Sequence, residues 1–65
     1  MIKVNGKIKD YENSITIESL ILQEGYKKDI VVVEVNEKII KKNEYGTYML
    51  EDGDKVEILK FVGGG

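Results

Sequence analysis

The sequence predicts an α+β fold in which one main helix packs on one face of a mixed sheet of four to five strands. Three observations support this fold class. Apolar and polar residues alternate at both ends of the chain, residues 30–35 are almost all β-branched, and the segment around residue 20 has the three-and-four apolar spacing of a helix. With one helix for several strands, the economical packing places the helix across one face of a single sheet.

The first element is a predicted hairpin. Apolar and polar residues alternate over residues 2–5 and again over residues 7–11, and Asn5-Gly6 lies between the two stretches. An Asn-Gly pair favours the type I′ turn, because both central residues of that turn have positive φ. The sequence therefore predicts a strand, a tight turn and a second strand.

A short helix is predicted after residues 12–15, which interrupt the alternation. Thr16 can cap its N-terminus, and Glu18 lies in the first turn, where a carboxylate is favourable against the helix dipole. Gly25 is well placed to end the helix in the left-handed conformation. The apolar residues on one face are Ile17, Leu20 and Ile21. We expect about nine or ten residues, stabilised by packing on the sheet, because isolated helices this short are marginal in water.

The middle of the chain predicts a central strand and a short strand. The β-branched residues 30–35 suit a strand that is covered on one face and partly covered on the other, with Glu34 facing away from the helix. Asn36-Glu37 forms the next turn, residues 38–40 form a short strand, and residues 41–44 form a polar loop.

The last strand is predicted from Lys55 to Phe61. It follows Asp52-Gly53-Asp54, in which the glycine supplies positive φ and the aspartates bond nearby amides. If Val56 and Ile58 face the helix, the other side of this strand faces outward.

An outward apolar patch is therefore predicted from Leu59 and Phe61, beside Val32 of the central strand. An exposed apolar patch indicates an interaction site more strongly than an apolar core does. The alternative is that the loop residues Tyr45 and Tyr48 fold over the patch and cover it.

Size and composition limit what the chain can do. A chain of 65 residues is one domain with a small core, and we predict a folded domain over residues 1–62 followed by a flexible tail over residues 63–65. A net charge of −2 offers no basic surface for nucleic acid. No apolar run approaches a membrane span, and the first residues alternate like a strand instead of forming a signal peptide. We expect a cytoplasmic protein with neither nucleic-acid nor membrane partners.

The absence of cysteine and histidine limits the chemistry of the chain itself. Without cysteine there is no disulfide or thiol chemistry, and without histidine the common zinc sites lose their usual ligands. No histidine is available as a general base for the serine, threonine or tyrosine hydroxyls. We therefore expect no catalytic residue, no metal and no cofactor bound by this chain.

The three glycines Gly63, Gly64 and Gly65 predict a thin, mobile tail. Glycine offers no side chain to pack and loses much entropy when it is ordered. Such a peptide can enter a tunnel too narrow for side chains and present its carboxylate inside another protein. The alternative is an inert chain end.

Motifs along nearly the whole chain carry a family resemblance. They are Ile2-Lys3-Val4-Asn5-Gly6, Thr16-Ile17 with Leu20 and Gly25, the strand from Val31 to Asn36, Leu50 with Asp52-Gly53-Asp54, Val56-Glu57-Ile58-Leu59, and Phe61-Val62-Gly63-Gly64-Gly65. In the conjunction of an Asp-Gly-Asp turn, one strand and a terminal Gly-Gly, the sequence resembles the ThiS family, the sulfur carriers of bacterial thiamin biosynthesis, with the ubiquitin-like β-grasp fold.

The resemblance implies a carrier that partner enzymes act on, not an enzyme. An adenylyltransferase of the ubiquitin-activating type (ThiF-like) would use ATP to adenylate the carboxylate of Gly65. A sulfur donor such as a cysteine desulfurase would then give a thiocarboxylate, which donates sulfur to thiazole synthase (ThiG-like). Gly63 and Gly64 would thread into the partner, and the predicted docking patch consists of Val32, Leu59, Phe61 and Val62.

Residues 37–45 depart from the family pattern. The family tends to show an Asn-Gly turn, a Pro-Arg pair and a tryptophan, whereas this chain has Asn36-Glu37, Lys41-Lys42 and Tyr45. Three alternatives stay open: the small subunit of molybdopterin synthase, a ubiquitin-like modifier joined to lysines through Gly65, and an interaction module with an inert tail.

Overall fold

The computed structural model describes residues 1–11 and 14–60. Glu12, Asn13 and residues 61–65 lie outside the described residues. The predictions for Phe61, Val62 and the glycine tail, including the domain boundary at residue 62, therefore stay predictions.

The described residues form one five-stranded mixed sheet and one α-helix, which confirms the predicted α+β class. In chain order the elements are β1 (Ile2–Val4), β2 (Lys7–Lys9), α1 (Ile17–Gln23), β3 (Val31–Val35), β4 (Lys38–Ile40) and β5 (Lys55–Lys60), with short 3₁₀ turns at Lys28–Ile30 and Lys42–Glu44. The strand order is β2-β1-β5-β3-β4. The pairing of β1 with β5 is parallel and the other pairings are antiparallel, so the last strand lies in the middle of the sheet.

Both hairpins turn through two consecutive residues of positive φ. Asn5 and Gly6 have φ of 50° and 84°, and Asn36 and Glu37 have φ of 51° and 71°. Both turns were predicted. In the second turn a glutamate occupies a left-handed position that favours glycine.

The two turn asparagines also anchor β5. The Ile58 amide donates to Asn5 Oδ1 at 2.8 Å, and the Lys55 amide donates to Asn36 Oδ1 at 3.0 Å. Asn36 Nδ2 in turn donates to Asp54 Oδ1 at 3.0 Å. Each hairpin therefore bonds through its turn to the strand that leads to the tail.

The helix begins where the sequence predicts and is shorter than expected. Thr16 Oγ1 accepts a hydrogen bond from the Ser19 amide at 3.1 Å, as an N-cap should. The α1 helix contains seven residues instead of nine or ten, because the chain leaves helical geometry at Glu24 and turns at Gly25, whose φ is 85°.

Another difference concerns the start of the central strand. The sequence predicts that Ile30 opens this strand, but Ile30 ends the 3₁₀ turn that follows α1, and β3 begins at Val31.

The core lies between α1 and one face of the sheet. It contains the apolar face of α1 and the alternate residues of the three central strands. The buried residues are Ile2, Val4, Ile15, Ile17, Leu20, Ile21, Val31, Val33, Val35, Tyr45, Leu50, Val56 and Ile58. The predicted inward orientation of Val56 and Ile58 is confirmed.

No helix within residues 1–11 and 14–60 has the length and apolar character that crossing a membrane requires.

Candidate partner-docking surface

No described α-helix covers the sheet face opposite α1, which we call the outer face. Strand alternation and register place eight described side chains there: Lys3, Ile8, Val32, Glu34, Ile39, Lys55, Glu57 and Leu59. The described α-helix packs on the other face, so these side chains form the surface available to a partner.

The predicted neighbours Val32 and Leu59 are adjacent on this face. They are directly opposed across the antiparallel pairing of β3 with β5. Val32 is half-buried, and Leu59 keeps 49% of its surface exposed. Their adjacency and outward orientation are thus confirmed, whereas their contact with a partner stays a prediction, as do the roles of Phe61 and Val62.

The loop tyrosines do not cover this patch. Tyr45 is 3% exposed within the core, and its carbonyl accepts the Glu18 amide at the start of α1 at 2.9 Å. Tyr48 packs against the same core, and its carbonyl accepts the Ile17 amide at 3.1 Å. The two residues complete the N-terminal end of the helix on the opposite side of the sheet.

Sequence reasoning missed Ile39 as part of the outer face. Ile39 of β4 is 71% exposed and pairs with Glu34 of β3, one strand away from Val32. The signal was present in Lys38-Ile39-Ile40, where two apolar residues in a row must face opposite sides of a strand. Without the register, however, neither residue could be assigned to the outer face.

The ion pairs of the described residues lie away from the outer face. They join the Met1 ammonium to Asp52, Lys9 to Glu24, Lys28 to Glu18 and Lys42 to Asp29. Of Lys41 and Lys42, which depart from the family pattern, Lys42 has an acidic neighbour, with its Nζ 3.9 Å from Asp29 Oδ1. The outer-face carboxylates of Glu34 and Glu57 are in none of these pairs.

Two titratable groups have shifted pKa values, and both support the fold. Burial, followed by the hydrogen bond that Tyr11 donates to Glu24 at 2.9 Å, raises the pKa of Tyr11 to about 12. The hydrogen bond from the N-terminal ammonium, followed by its charge, lowers the pKa of Asp52. Neither group lies on the outer face.

A cleft of about 320 Å³ lies at the other end of the sheet from the Val32–Leu59 pair. Its lining includes Met1, Tyr11, Leu50 and Asp52. Among the residues that the structure describes, no three acidic side chains are grouped as metal ligands. Within this lining the Met1 ammonium bonds to Asp52, and the Tyr11 phenol donates to Glu24 at 2.9 Å.

Comparison with known proteins shows which family this chain resembles in sequence and in structure. The chain matches the ThiS family over residues 2–65. It is 41% identical over 66 residues to the sulfur carrier protein ThiS of Bacillus subtilis, and the match covers 100% of both chains. The crystal structure of the thiamine biosynthesis protein ThiS from Geobacter metallireducens superposes with a TM-score of 0.81 at 30% identity, covering 98% of this chain and 97% of that one.

Longer proteins also contain a similar stretch. The chain is 39% identical over 62 residues to a thiazole synthase of Paramagnetospirillum magneticum, which covers 95% of this chain and 19% of that protein. A thiazole synthase of Magnetococcus marinus is 33% identical over 64 residues, which is 20% of its length. The chain therefore spans about a fifth of these relatives. Because the family match, the Bacillus relative and the Geobacter structure each cover nearly the whole chain, this protein belongs to the ThiS family.

Proposed function

We propose that this chain is a sulfur carrier protein of thiamin biosynthesis, in which the carboxylate of Gly65 becomes the thiocarboxylate that supplies sulfur for the thiazole ring. The observation that carries this proposal is the 41% identity, over all of both chains, to the Bacillus subtilis sulfur carrier protein ThiS. The β-grasp sheet supports it, because the strand that leads to the tail lies at the centre of the sheet.

The chemistry requires activation of a poor electrophile. The reference pKa of a terminal carboxyl group is about 3.3 to 3.7, so the group is ionised at neutral pH. One carboxylate oxygen attacks the α-phosphate of ATP and pyrophosphate leaves, which gives an acyl-adenylate. Sulfur at the oxidation level of sulfide then attacks the acyl carbon and AMP leaves with its oxygen, so that a thiocarboxylate remains.

The chain supplies a reactive end and a docking surface, and partner proteins supply the catalysis. An adenylyltransferase of the ubiquitin-activating type (ThiF-like) binds and uses ATP. A donor such as a cysteine desulfurase provides the sulfur as a persulfide, a thiol reductant supplies the two electrons that bring it to the sulfide level, and thiazole synthase (ThiG-like) receives the sulfur from the thiocarboxylate. In this scheme the chain is a cosubstrate, not an enzyme, binds no cofactor, and acts in the cytoplasm.

A docking surface is needed to offset the free-energy cost of ordering the tail. Fixing each backbone residue costs roughly 1 to 2 kcal/mol, so ordering Gly63, Gly64 and Gly65 costs about 3 to 6 kcal/mol or more. Threaded glycines contribute little contact area in return. Burial of Leu59 and Val32, together with Phe61 and Val62, is the apolar contribution that we assign to docking.

Intact-mass spectrometry tests the carrier chemistry. The purified chain is incubated with ATP, the adenylyltransferase and a sulfur donor, beside a variant that lacks Gly65. We expect a mass gain equal to the exchange of one oxygen for one sulfur in the full chain and no gain in the truncated variant. The absence of that gain with an enzyme of demonstrated activity would contradict the proposal.

Adding the candidate acceptor proteins to the same samples separates the alternatives. A thiocarboxylate that forms but is consumed only by molybdopterin synthase would favour the molybdenum cofactor pathway. An isopeptide adduct between Gly65 and a lysine of another protein would favour a modifier. A chain that no activating enzyme adenylates would leave an interaction module.

A further inference from the structure

Two glutamates of the outer face are directly opposed. Glu34 of β3 and Glu57 of β5 are cross-strand partners in the antiparallel pairing. The Cβ atoms of such a pair lie about 4.5 to 5.5 Å apart. Both residues are half-buried, so water screens the repulsion between their charges less than it would on an exposed loop.

This arrangement does not help the free protein to fold. Like charges directly opposite on a sheet are destabilising. Lys55 lies two residues before Glu57 on the same face, and Lys3 is the cross-strand neighbour of Lys55. Neither lysine is within ion-pair distance of Glu34 or Glu57 among the described residues, where the four ion pairs lie elsewhere.

Apolar side chains flank the two carboxylates on two sides. Val32 and Leu59 form the next cross-strand pair toward the tail, and Ile39 is the cross-strand neighbour of Glu34 on β4. Ile39 and Leu59 are 71% and 49% exposed. A partner that covers these apolar side chains must also remove water from the carboxylates, which is costly unless the partner supplies a cation.

An arginine fits this position best. Its planar guanidinium carries five N–H donors and loses its hydration shell more readily than an ammonium, so one arginine can bond both carboxylates within an apolar surround. The chain itself has none, since its ten basic residues are all lysines. A second copy of the chain therefore does not provide this side chain.

We propose that Glu34 and Glu57 together bind one arginine side chain of the thiazole synthase, at the centre of an apolar contact made by Val32, Leu59 and Ile39. The inference rests on the proposed function and specifies how its docking surface recognises the partner. In the relatives from Paramagnetospirillum and Magnetococcus a similar stretch lies within the thiazole synthase itself. The presence of a similar stretch in these two proteins is the reason why we assign the arginine to thiazole synthase.

Binding and stability should respond to these glutamates in opposite directions. The test measures the affinity of the free carrier for the thiazole synthase of the same organism by isothermal titration calorimetry, and carrier stability by urea unfolding. We expect the double variant Glu34→Gln/Glu57→Gln to bind about tenfold more weakly or worse, with a smaller salt dependence. Its unfolding midpoint should be unchanged or higher, because the like-charge repulsion is gone.

Matched variants control for changes in overall charge. Glu44→Gln removes the same charge from the 3₁₀ turn on the helix side, and Glu51→Gln removes it from an exposed residue that is not part of the outer face; both should bind like the unmodified chain. Equal affinity and equal salt dependence in the double variant would overturn the site. A double variant that is also less stable would assign the pair a structural role and overturn it too.

The same experiment separates this inference from the proposed function. If the unmodified chain neither binds the thiazole synthase nor delivers sulfur to it, the proposed function fails and the site fails with it. If the unmodified chain binds and delivers sulfur and the double variant does so equally well, only the arginine site fails. Sedimentation of the carrier alone completes the test. If the unmodified chain is a dimer and the double variant is a monomer, a second copy of the chain occupies the site, and the proposed occupant is wrong.

Discussion

Asn5 and Asn36 each combine two tasks at a single residue. Each has positive φ in a tight turn, and each side chain accepts an amide hydrogen bond from β5. Asparagine suits both tasks, because its short polar side chain tolerates the left-handed region and can bond to nearby backbone. The two turns therefore set the register of the strand that leads to the tail.

Asn5→Ala should destabilise the protein by about 1 to 3 kcal/mol, because it leaves the partly buried Ile58 amide without its acceptor. Urea unfolding of the variant measures the loss. Asn43→Ala, which removes an asparagine from the 3₁₀ turn Lys42–Glu44, is the control and should cost less. A loss equal to that of the control would show that the Asn5 bond contributes nothing net.

Glu37 is a residue whose replacement should stabilise the fold. Its φ of 71° places a side chain where glycine is favoured. A left-handed conformation costs a non-glycine residue about 1 to 2 kcal/mol, and glycine avoids this cost. Glycine also loses more backbone entropy on folding, which cancels about half of the gain. Glu37→Gly should therefore raise the free energy of unfolding by about 0.5 to 1 kcal/mol.

Denaturant unfolding at neutral pH checks this expectation. Glu51→Gly is the matched control, since Glu51 is exposed and is not among the residues of positive φ. The control should lower stability. A decrease of equal size in both variants would contradict the assignment of strain to Glu37.

Tyr11 makes stability depend on alkaline pH. The folded protein raises its pKa from 10.0 to about 12 by burial and by the hydrogen bond to Glu24, so the fold favours the protonated phenol. The stabilisation is complete below pH 10 and is lost as the pH rises toward 12. Tyr11→Phe should remove this part of the pH dependence, and urea unfolding across that range measures it. Identical pH profiles for the two proteins would contradict the raised pKa.

At the scale of elements, β5 connects the core to the outer face. Its inward residues Val56 and Ile58 are buried, and its outward residues Glu57 and Leu59 face away from α1. It pairs with β1 on one side and β3 on the other, so both hairpins hold it in place. A substitution at an outward position can therefore change partner contact without disturbing the core.

Leu59→Arg should leave the free energy of unfolding within about 0.5 kcal/mol of that of the unmodified chain, because surface substitutions away from special features have effects of that size. Adenylation should nevertheless become at least about tenfold slower, since a charge replaces an apolar contact of the docking patch. Leu22→Arg is the control: Leu22 is an equally apolar residue, 68% exposed on α1. An unchanged rate of adenylation in the Leu59 variant, with normal folding, would remove the patch from the proposed function.

Local sequence patterns predict the helix, the strands and the turns, whereas the register between distant strands depends on long-range pairing. The Asn5-Gly6 turn, the Thr16 cap and the alternation around Val56 follow from a few neighbouring residues, and the structure confirms them. The direct opposition of Glu34 and Glu57 depends instead on the register between two strands about twenty residues apart. No tight turn joins those strands, so nothing local in the sequence fixes that register.

The whole molecule is organised around its last strand, although the sequence places that strand at the end. The order β2-β1-β5-β3-β4 puts one hairpin on each side of β5. The sequence predicted both hairpins and the mixed sheet, but it left open which strands are neighbours. That order depends on how the inward apolar residues of all the strands are buried together under a single short helix, which is a property of the chain as a whole.

The parallel neighbours β1 and β5 have a mechanical consequence. Because the first and last described strands run the same way side by side, tension between Met1 and Lys60 pulls them in opposite directions along their length. The amide of Lys3 donates to the Asp54 carbonyl and that of Asn5 to the Val56 carbonyl, both at 2.9 Å, so these bonds are loaded together in shear instead of being peeled apart one by one. Tension applied between these two ends therefore acts on both bonds at once, and the two strands resist separation together.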